Sequence, residues 1–577
     1  MSNPASDTEL PSTRLLWLTV CLLAVLYVWG MDNLYMPTNG DEMVYNHIAR
    51  LTAASRQWLP LVSDLNDMRN TKPPLLFWQS MVISGWGQHW NLWLLRLPSL
   101  IYLALVCIGM SVLLRRWSGE WRTAAWSVLC LLLSWGTFRY GRPYLTTAPE
   151  LFWYSLAPAY VLWQSADNKL SAVHNTSREW LIWSLLGLLT GIGLAYKSFA
   201  LILPVAAGVW TMRLILPTQL NRRDVLVCTA QIVWMSILAV GVFACWLLID
   251  PQPQEVWREF VQRENAGKLN DSQGYWAWLV SWKGSGDYIT APLQNTGLLF
   301  PWVVVLCSAV WRQLRLPDWR HTSGQLSLAL VVWILVWCIV FVLPSQRSSR
   351  YLLPLMPALA MLMGLHVHSI TKTASMAVGI LSWLMLSVLV WLGWHAGSLG
   401  LMPGVWFGCL CACIVAVTAL CIYIPRAAQA HAWLGLLSAF LALTGLNVLL
   451  QGMSGERTAF KGNATQRPIS QTVWVPEGFN GEFERFQFLL PGQNTFVPDQ
   501  VKVDALSAGN GTEPGTWFIV ARTPGSTELP CETQQLCERI AVRWDIEQRL
   551  KPGQVNTENI ARPAEWLWRQ EWLLRLR

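Results

Sequence analysis

The sequence predicts an all-α polytopic membrane protein of about 13 transmembrane helices, followed by a small C-terminal extracytoplasmic domain containing β-strands. Three observations predict it. Of 577 residues, 53% are hydrophobic and only 13% charged, where a soluble chain carries roughly 25% charged residues. Apolar runs long enough to cross a bilayer recur as far as residue 450. Residues 451–577 are instead polar, rich in Gly, Pro, Thr and Gln, with short alternating stretches such as Gly515 to Ala521 that read as strands. The domain boundaries expected are therefore 1–450 and 451–577.

The apolar runs fall near 15–31, 92–114, 122–138, 148–165, 180–195, 198–216, 225–249, 298–311, 325–343, 351–368, 374–395, 403–424 and 432–450. The first, Leu15 to Met31, is longer than the apolar core of a secretory leader. It is flanked by Arg14 alone and followed by no small-residue cleavage site, so it reads as a retained anchor. With the N-terminus inside, every second loop should be cytoplasmic. Those loops carry Arg115, Arg116 and Arg122; Lys169 and Arg178; Arg222 and Arg223; Arg312, Arg315 and Arg320; Lys372; and Arg426. The bias of cations to the inner side holds in each, and an odd number of spans places the C-terminal tail outside. Trp, at 38 residues against 17 Phe and 13 Tyr, flanks many runs, as expected of a chain with many interface crossings.

Two outer loops are long, near 31–91 and 250–297, and long loops in a compact protein usually carry function. In the first, Asp41 to Ala54 has helical periodicity, with Tyr45, Ile48, Ala49 and Leu51 on one face, and reads as an amphipathic helix lying along the membrane. In the second, Val256 to Arg263 is also amphipathic. The orientation rule leaves few cations for the outer side, so those found there need a reason. They are Lys72, Arg139, Arg142, Lys197, Arg263, Lys268, Arg347 and Arg350. Converging at the outer leaflet, such groups suit a phosphate or pyrophosphate on a lipid carrier. Taken singly, each serves equally well as a headgroup contact or as a partner for Asp41, Glu42, Asp64 or Asp67.

Asp41 and Glu42 open the first of these amphipathic segments. One reading makes them a helix-start pair, since acidic groups favour a helix N-terminus. The other makes Asp41 a general base that takes a proton from an acceptor nucleophile, with Glu42 orienting the acceptor or sharing in metal binding. A glycosyl phosphate suits such a base, because the phosphate leaves readily once cations neutralise it. The net charge of +8 resides mainly in short loops, and no basic patch with interleaved aromatics points to nucleic acid. Eleven of the thirteen Cys lie in or beside apolar runs without zinc-ligand spacing and read as small buried hydrophobes. Cys531 and Cys537 lie in the polar tail, where an oxidising compartment would permit them to pair.

Gly40-Asp41-Glu42 with Tyr45, then Ile48-Ala49-Arg50, Trp58, Pro60 and Lys72-Pro73-Pro74-Leu75-Leu76-Phe77-Trp78, resemble the first outer loop of the ArnT-like glycosyltransferases. These are the lipid A 4-amino-4-deoxy-L-arabinose transferases and their bacterial relatives in the protein O-mannosyltransferase superfamily. Arg142 to Phe152, Lys197, Phe260 to Leu269, Leu299 to Trp302 and Arg350 to Pro354 look similar too, in order along residues 15–370. The resemblance implies a GT-C fold and a polyprenyl-phosphate-linked sugar as donor. It also implies inverting transfer at the periplasmic face of the bacterial inner membrane to lipid A, an envelope glycan or a protein. By residue matching it implies Asp41 as the catalytic acidic residue and Lys72 as a contact to the donor phosphate, with Arg263, Arg347 and Arg350 as candidates for the same cradle. On their place at the outer side, Glu42 joins Asp41 as a catalytic candidate, and Arg142 and Lys197 join the phosphate contacts. Tyr45, Glu150, Asn265 and Tyr351 would line the same pocket.

Two positions depart from the family pattern. Thr71 stands where an acidic residue usually precedes the lysine, and Thr147 where a second aspartate is expected, with Glu150 one turn further on. No His in 250–297 replaces a ligand. Either catalysis proceeds without a divalent metal or Glu42 and Glu150 compensate, and no metal ligand set is assigned. A flippase for lipid-linked sugars would place ionisable groups and helix breaks at mid-bilayer, whereas here the polar groups gather at one face. A non-catalytic scaffold for envelope glycan assembly is the third reading that the two threonines allow.

Overall fold

The computed structural model describes residues 11–577 apart from 37–39, 66–67, 167–175, 218–219, 270–289, 317–323, 343–347, 428–429, 455, 461–470, 479–480, 491, 493, 511–512, 547–562 and 564–565. Among the described residues, six helices are long and apolar enough to cross a membrane. They are Leu92–Ser118, Arg222–Ile249, Thr290–Leu314, Lys372–Ser398, Gly404–Tyr423 and His431–Met453. Five shorter apolar helices accompany them: Thr13–Val28, Trp121–Leu133, Phe199–Ile215, Gly324–Val340 and Ser349–Leu365. The all-α polytopic expectation is borne out, and the chain is a multi-pass membrane protein. It divides into two compact units. One comprises Met1–Trp29, Ile48–Trp383 and Val417–Leu441, the other Gly30–His47, Leu384–Ala416 and Ala442–Arg577.

Several helices of the first unit are broken where the apolar runs are continuous. The run at 122–138 becomes Trp121–Leu133 and Trp135–Tyr140, separated by Ser134 in extended conformation. The run at 148–165 becomes Thr147–Trp153 and Leu156–Ala166, with Pro158 unable to supply the backbone N–H that would tie the second piece to the first. A tight turn, Ser349–Leu355, precedes Met356–Leu365, with Pro354 and Pro357 at the junction. Other ends are set by side chains. Asn91 caps Leu92–Ser118 by accepting from the Leu94 N–H at 3.0 Å, and Gly119 closes that helix at φ +73°. Asn221 and Asp224 form a reciprocal capping box at the start of Arg222–Ile249.

The helix Ser177–Leu194 packs against Arg222–Ile249 through Gly187 and Gly191, four residues apart. A Cβ built on Gly187 would lie 2.7 Å from the Met235 carbonyl oxygen, and one on Gly191 would lie 2.6 Å from the Val242 Cβ. In lipid, where apolar side chains gain little by leaving solvent, such close backbone approach is a principal source of helix association. This contact fixes the end of Ser177–Leu194 and hence the turn at Tyr196-Lys197-Ser198.

In the second unit, five strands form one mixed sheet. They are β1 (Thr472–Val475), β2 (Thr495–Pro498), β3 (Trp517–Arg522), β4 (Cys537–Ile546) and β5 (Trp568–Leu576), in the order β2-β1-β3-β5-β4. β1 pairs in parallel with β2 and β3, whereas β5 pairs antiparallel with β3 and β4. Val503, Leu506, Phe518, Trp572 and Leu574 form its core together with Cys531 and Cys537, which are joined by a disulfide with a Cα–Cα distance of 5.3 Å. A buried ionic group braces β4 and β5. Arg543 donates to Glu571 at 2.7 Å and pairs with Asp545 at 2.8 Å, and Arg569 reaches Asp545 at 2.9 Å. Arg485, Arg543 and Arg569 hold the Asp545 carboxyl below its ordinary range, although burial opposes them.

Candidate functional site

The first turn of Asp41–Ala54 presents Asp41, half-buried, and Glu42, fully buried. The bounds of this helix are those the periodicity predicts. Tyr45, 3% exposed, donates a long hydrogen bond of 3.5 Å to the Asp41 Oδ2. Asn46 follows, fully buried, and neither its amide nitrogen nor its amide oxygen has a hydrogen-bond partner among the described residues. A buried amide left unsatisfied is costly, and Asn46 is a functional candidate that sequence reasoning missed. The chain entering this helix is tied down upstream. Asn33 donates to the Leu450 carbonyl at 3.1 Å, and Tyr35 donates to the Trp544 carbonyl at 3.2 Å.

The first unit assembles a second group of site residues around the turn at Lys197. The Lys197 Nζ lies 2.9 Å from both oxygens of Glu150, which is 1% exposed. The same ammonium stands 4.8 Å from the Tyr351 ring centroid, and the Arg350 guanidinium stands 5.6 Å from that ring. Burial lowers the Lys197 pKa and Arg350 lowers it further, while Glu150 works against both. Next in the chain, Ser198 donates to the Asn265 Oδ1 at 2.7 Å, and the Asn265 amide nitrogen donates to the Phe260 carbonyl at 2.7 Å. Phe260 is anchored against Trp246 and Phe243, with ring centroids 5.2 and 5.8 Å away. The wide helix Trp257–Asn265, predicted as amphipathic, thereby reaches the Lys197 turn.

That helix also receives the Lys72 segment. The Lys72 Nζ donates to the Glu264 Oε1 at 3.1 Å and to the Thr71 carbonyl at 2.6 Å. Asn70 donates to Glu259 at 2.7 Å, and Arg69 pairs with Glu255. The structure thus brings Lys197, Glu150, Tyr351, Arg350 and Asn265 together, with Lys72 held one residue before Asn265. Both lysines have carboxylate partners within the protein.

Arg142 has other surroundings. Its guanidinium lies 3.7 Å from the Phe138 ring centroid and 5.8 Å from that of Tyr27, and its Nε donates to the Phe138 carbonyl at 3.1 Å. Neither Nη1 nor Nη2 has a hydrogen-bond partner among the described residues. Burial, with the charge of Arg96 nearby, pushes this guanidinium down to about 9, as expected of a buried cation short of counter-charge. Tyr144 donates to the Leu76 carbonyl at 2.7 Å and Ser99 to the Pro143 carbonyl at 2.8 Å, which fixes the Arg142 loop to the helix after Lys72-Pro73-Pro74.

Arg263 is exposed, and Arg347 lies outside the described residues. Among the described residues, no group of three or more His, Cys, Asp or Glu side chains gathers at metal-binding distance. Arg96, fully buried, lies inside the apolar run at 92–114 and was missed, although a cation within a span is itself a signal. Glu264, the partner of Lys72, carried no such signal.

No family model matches the chain. It is 28% identical over 369 residues to the undecaprenyl phosphate-alpha-4-amino-4-deoxy-L-arabinose arabinosyl transferase of Pseudomonas aeruginosa (strain LESB58), covering 60% of this chain and 58% of that protein. It is 26% identical over 348 residues to the transferase of the same name from Erwinia tasmaniensis, covering 59% and 57%. The aligned part of the chain thus spans under three-fifths of the length of these relatives. The crystal structure of ArnT from Cupriavidus metallidurans bound to undecaprenyl phosphate matches with a TM-score of 0.60, at 15% identity, over 98% of each chain. The resemblance read from the motifs is borne out, and the chain has the ArnT fold.

Proposed function

We propose that this chain is an integral-membrane glycosyltransferase that moves a sugar from a polyprenyl-phosphate carrier to an acceptor at the outer face of a bacterial inner membrane. The observation that carries the reading is the likeness to ArnT over 98% of the chain. It is reinforced by a half-buried cation cluster, Lys197 with Arg350 around Tyr351, next to the Lys72 segment. In the proposed reaction Asp41 takes the proton from an acceptor hydroxyl, whose oxygen attacks the anomeric carbon. The bond from that carbon to the phosphate oxygen breaks, with inversion, and polyprenyl phosphate departs as an anion. Lys72, Lys197, Arg350 and Arg142 stabilise the charge developing on the phosphate, the role for which preorganised cations are most effective. Arg263 and Arg347 are assigned to the same anion. Glu150 and Asn265 hold Lys197 and its turn, and Glu42 and Tyr45 orient the acceptor and Asp41.

Lys72→Ala and Arg350→Ala test the phosphate assignment. Each should weaken binding of polyprenyl phosphate to the purified protein by roughly 1.5–3 kcal/mol, the worth of a charge-assisted contact. Affinity unaltered by both substitutions would contradict the cradle.

Periplasmic exposure of the C-terminal tail, residues 451–577, is part of the proposal. It rests on the cation bias of the loops and on the Cys531–Cys537 disulfide, which suits an oxidising compartment. In a variant keeping only these two cysteines, membranes isolated from cells should resist maleimide labelling until a reductant is added. Labelling without a reductant would place the tail in the reducing cytoplasm.

A further inference from the structure

The second unit contains a contact that the proposed chemistry does not yet use. His47, on the helix that begins with Asp41, donates from Nδ1 to the Glu484 Oε2 at 2.7 Å. His47 is 1% exposed and Glu484 fully buried, and the two lie 437 residues apart in the chain. The Phe483 ring meets the His47 ring edge-on, with centroids 5.0 Å apart. Gly481, at φ +72°, brings its backbone so close that a Cβ there would sit 2.9 Å from the Val44 Cα. The tight turn Glu482–Phe488 is therefore seated on the flank of the Asp41 helix at two points, Val44 and His47.

Asp41, Val44 and His47 are spaced by three, so each is offset from the last by about 60° around the helix. Val44 thus adjoins Asp41 and His47 lies about 120° around from it, and two contact points at different angles together set the roll of the first two turns. A carboxylate stands about 6 Å from the helix axis, so a roll of about 10° displaces it by about 1 Å. A misplacement of that size lowers the rate of a reaction on the order of a hundredfold.

We propose that Glu484, through its hydrogen bond to His47, is a positioning residue for Asp41, so that the C-terminal domain sets the orientation of the catalytic carboxylate. The inference rests on the general-base reading of Asp41. It predicts that Glu484→Ala lowers the turnover number about a hundredfold, counted per polyprenyl-phosphate-binding molecule, while the donor KM changes less than about twofold. Glu484→Gln, which keeps an acceptor for the His47 N–H, should recover at least about a tenth of wild-type turnover. In an Asp41→Asn background, Glu484→Ala should cause no further loss, because the group it positions is already gone.

The experiment is this cycle of four proteins, each full-length and reconstituted, with sugar transfer and polyprenyl-phosphate binding both measured. If Glu484→Ala does not fold, His47→Phe with Glu484→Leu replaces both partners by apolar groups, a change that folding tolerates, and the same slow turnover is expected. Wild-type turnover per donor-binding molecule in Glu484→Ala or in the apolar pair, or losses that multiply with Asp41→Asn, would overturn the positioning role. Full turnover in Asp41→Asn alone would instead remove the general-base reading, and the positioning role with it.

Discussion

Asp41→Asn should reduce sugar transfer by a factor on the order of 10²–10⁴, the range expected for loss of a general base, while leaving the fold in place. The substitution is nearly isosteric, and an asparagine oxygen still accepts the long hydrogen bond from Tyr45. What it removes is the negative charge in the first turn of Asp41–Ala54, worth about 0.3–1 kcal/mol against the helix dipole. The two roles considered for Asp41 therefore differ greatly in size. A helix-start residue would show as a small fall in melting temperature with turnover preserved. A catalytic base would show as a collapse in turnover with melting temperature and donor binding nearly unchanged. Steady-state transfer and thermal unfolding on the same preparation separate them.

Glu150→Ala should have the largest effect on stability. It leaves the Lys197 ammonium, whose side chain is 14% exposed, without the carboxylate that holds it from both oxygens at 2.9 Å. Breaking such a buried pair from one side destabilises by about 3–5 kcal/mol, because an uncompensated charge stays behind. The fall in unfolding midpoint in detergent measures it. Glu150→Leu combined with Lys197→Leu should recover most of that stability but not donor binding. If the double variant bound donor as tightly as wild type, Lys197 would be a purely structural partner of Glu150.

The fold class was legible because a membrane imposes it. Long apolar runs, cations in alternate loops and a polar tail with alternating stretches each have one physical reading. The helix Asp41–Ala54 was readable to both its ends, since an acidic first turn and a 3.6-residue period coincide there. Strand β3 at Trp517–Arg522 was readable as a strand, but its first four residues are all buried rather than alternating. Helix breaks were not. An apolar run records compatibility with lipid, not continuity of backbone hydrogen bonds, so the interruption at Ser134 left no trace in hydropathy. Leu75–Ile83, nine residues with almost no polar punctuation, was likewise invisible inside an outer loop.

In the candidate site, residue types were legible and pairings were not. Lys72, Lys197 and Arg350 stood out because cations are scarce in outer loops. The partners of the two lysines are tertiary facts: Glu264 lies 192 residues from Lys72, and Glu150 lies 47 from Lys197. His47 with Glu484 is the extreme case, since neither residue is unusual until both are seen buried together.

The most direct test of the central claim is mass spectrometry of envelope lipids and glycans from cells that make this protein and from cells that lack it. The account predicts that one envelope component loses the mass of a single sugar when the protein is absent, and that Asp41→Asn does not restore it. Identical profiles in the two strains, with unchanged polyprenyl-phosphate-linked sugar, would contradict it.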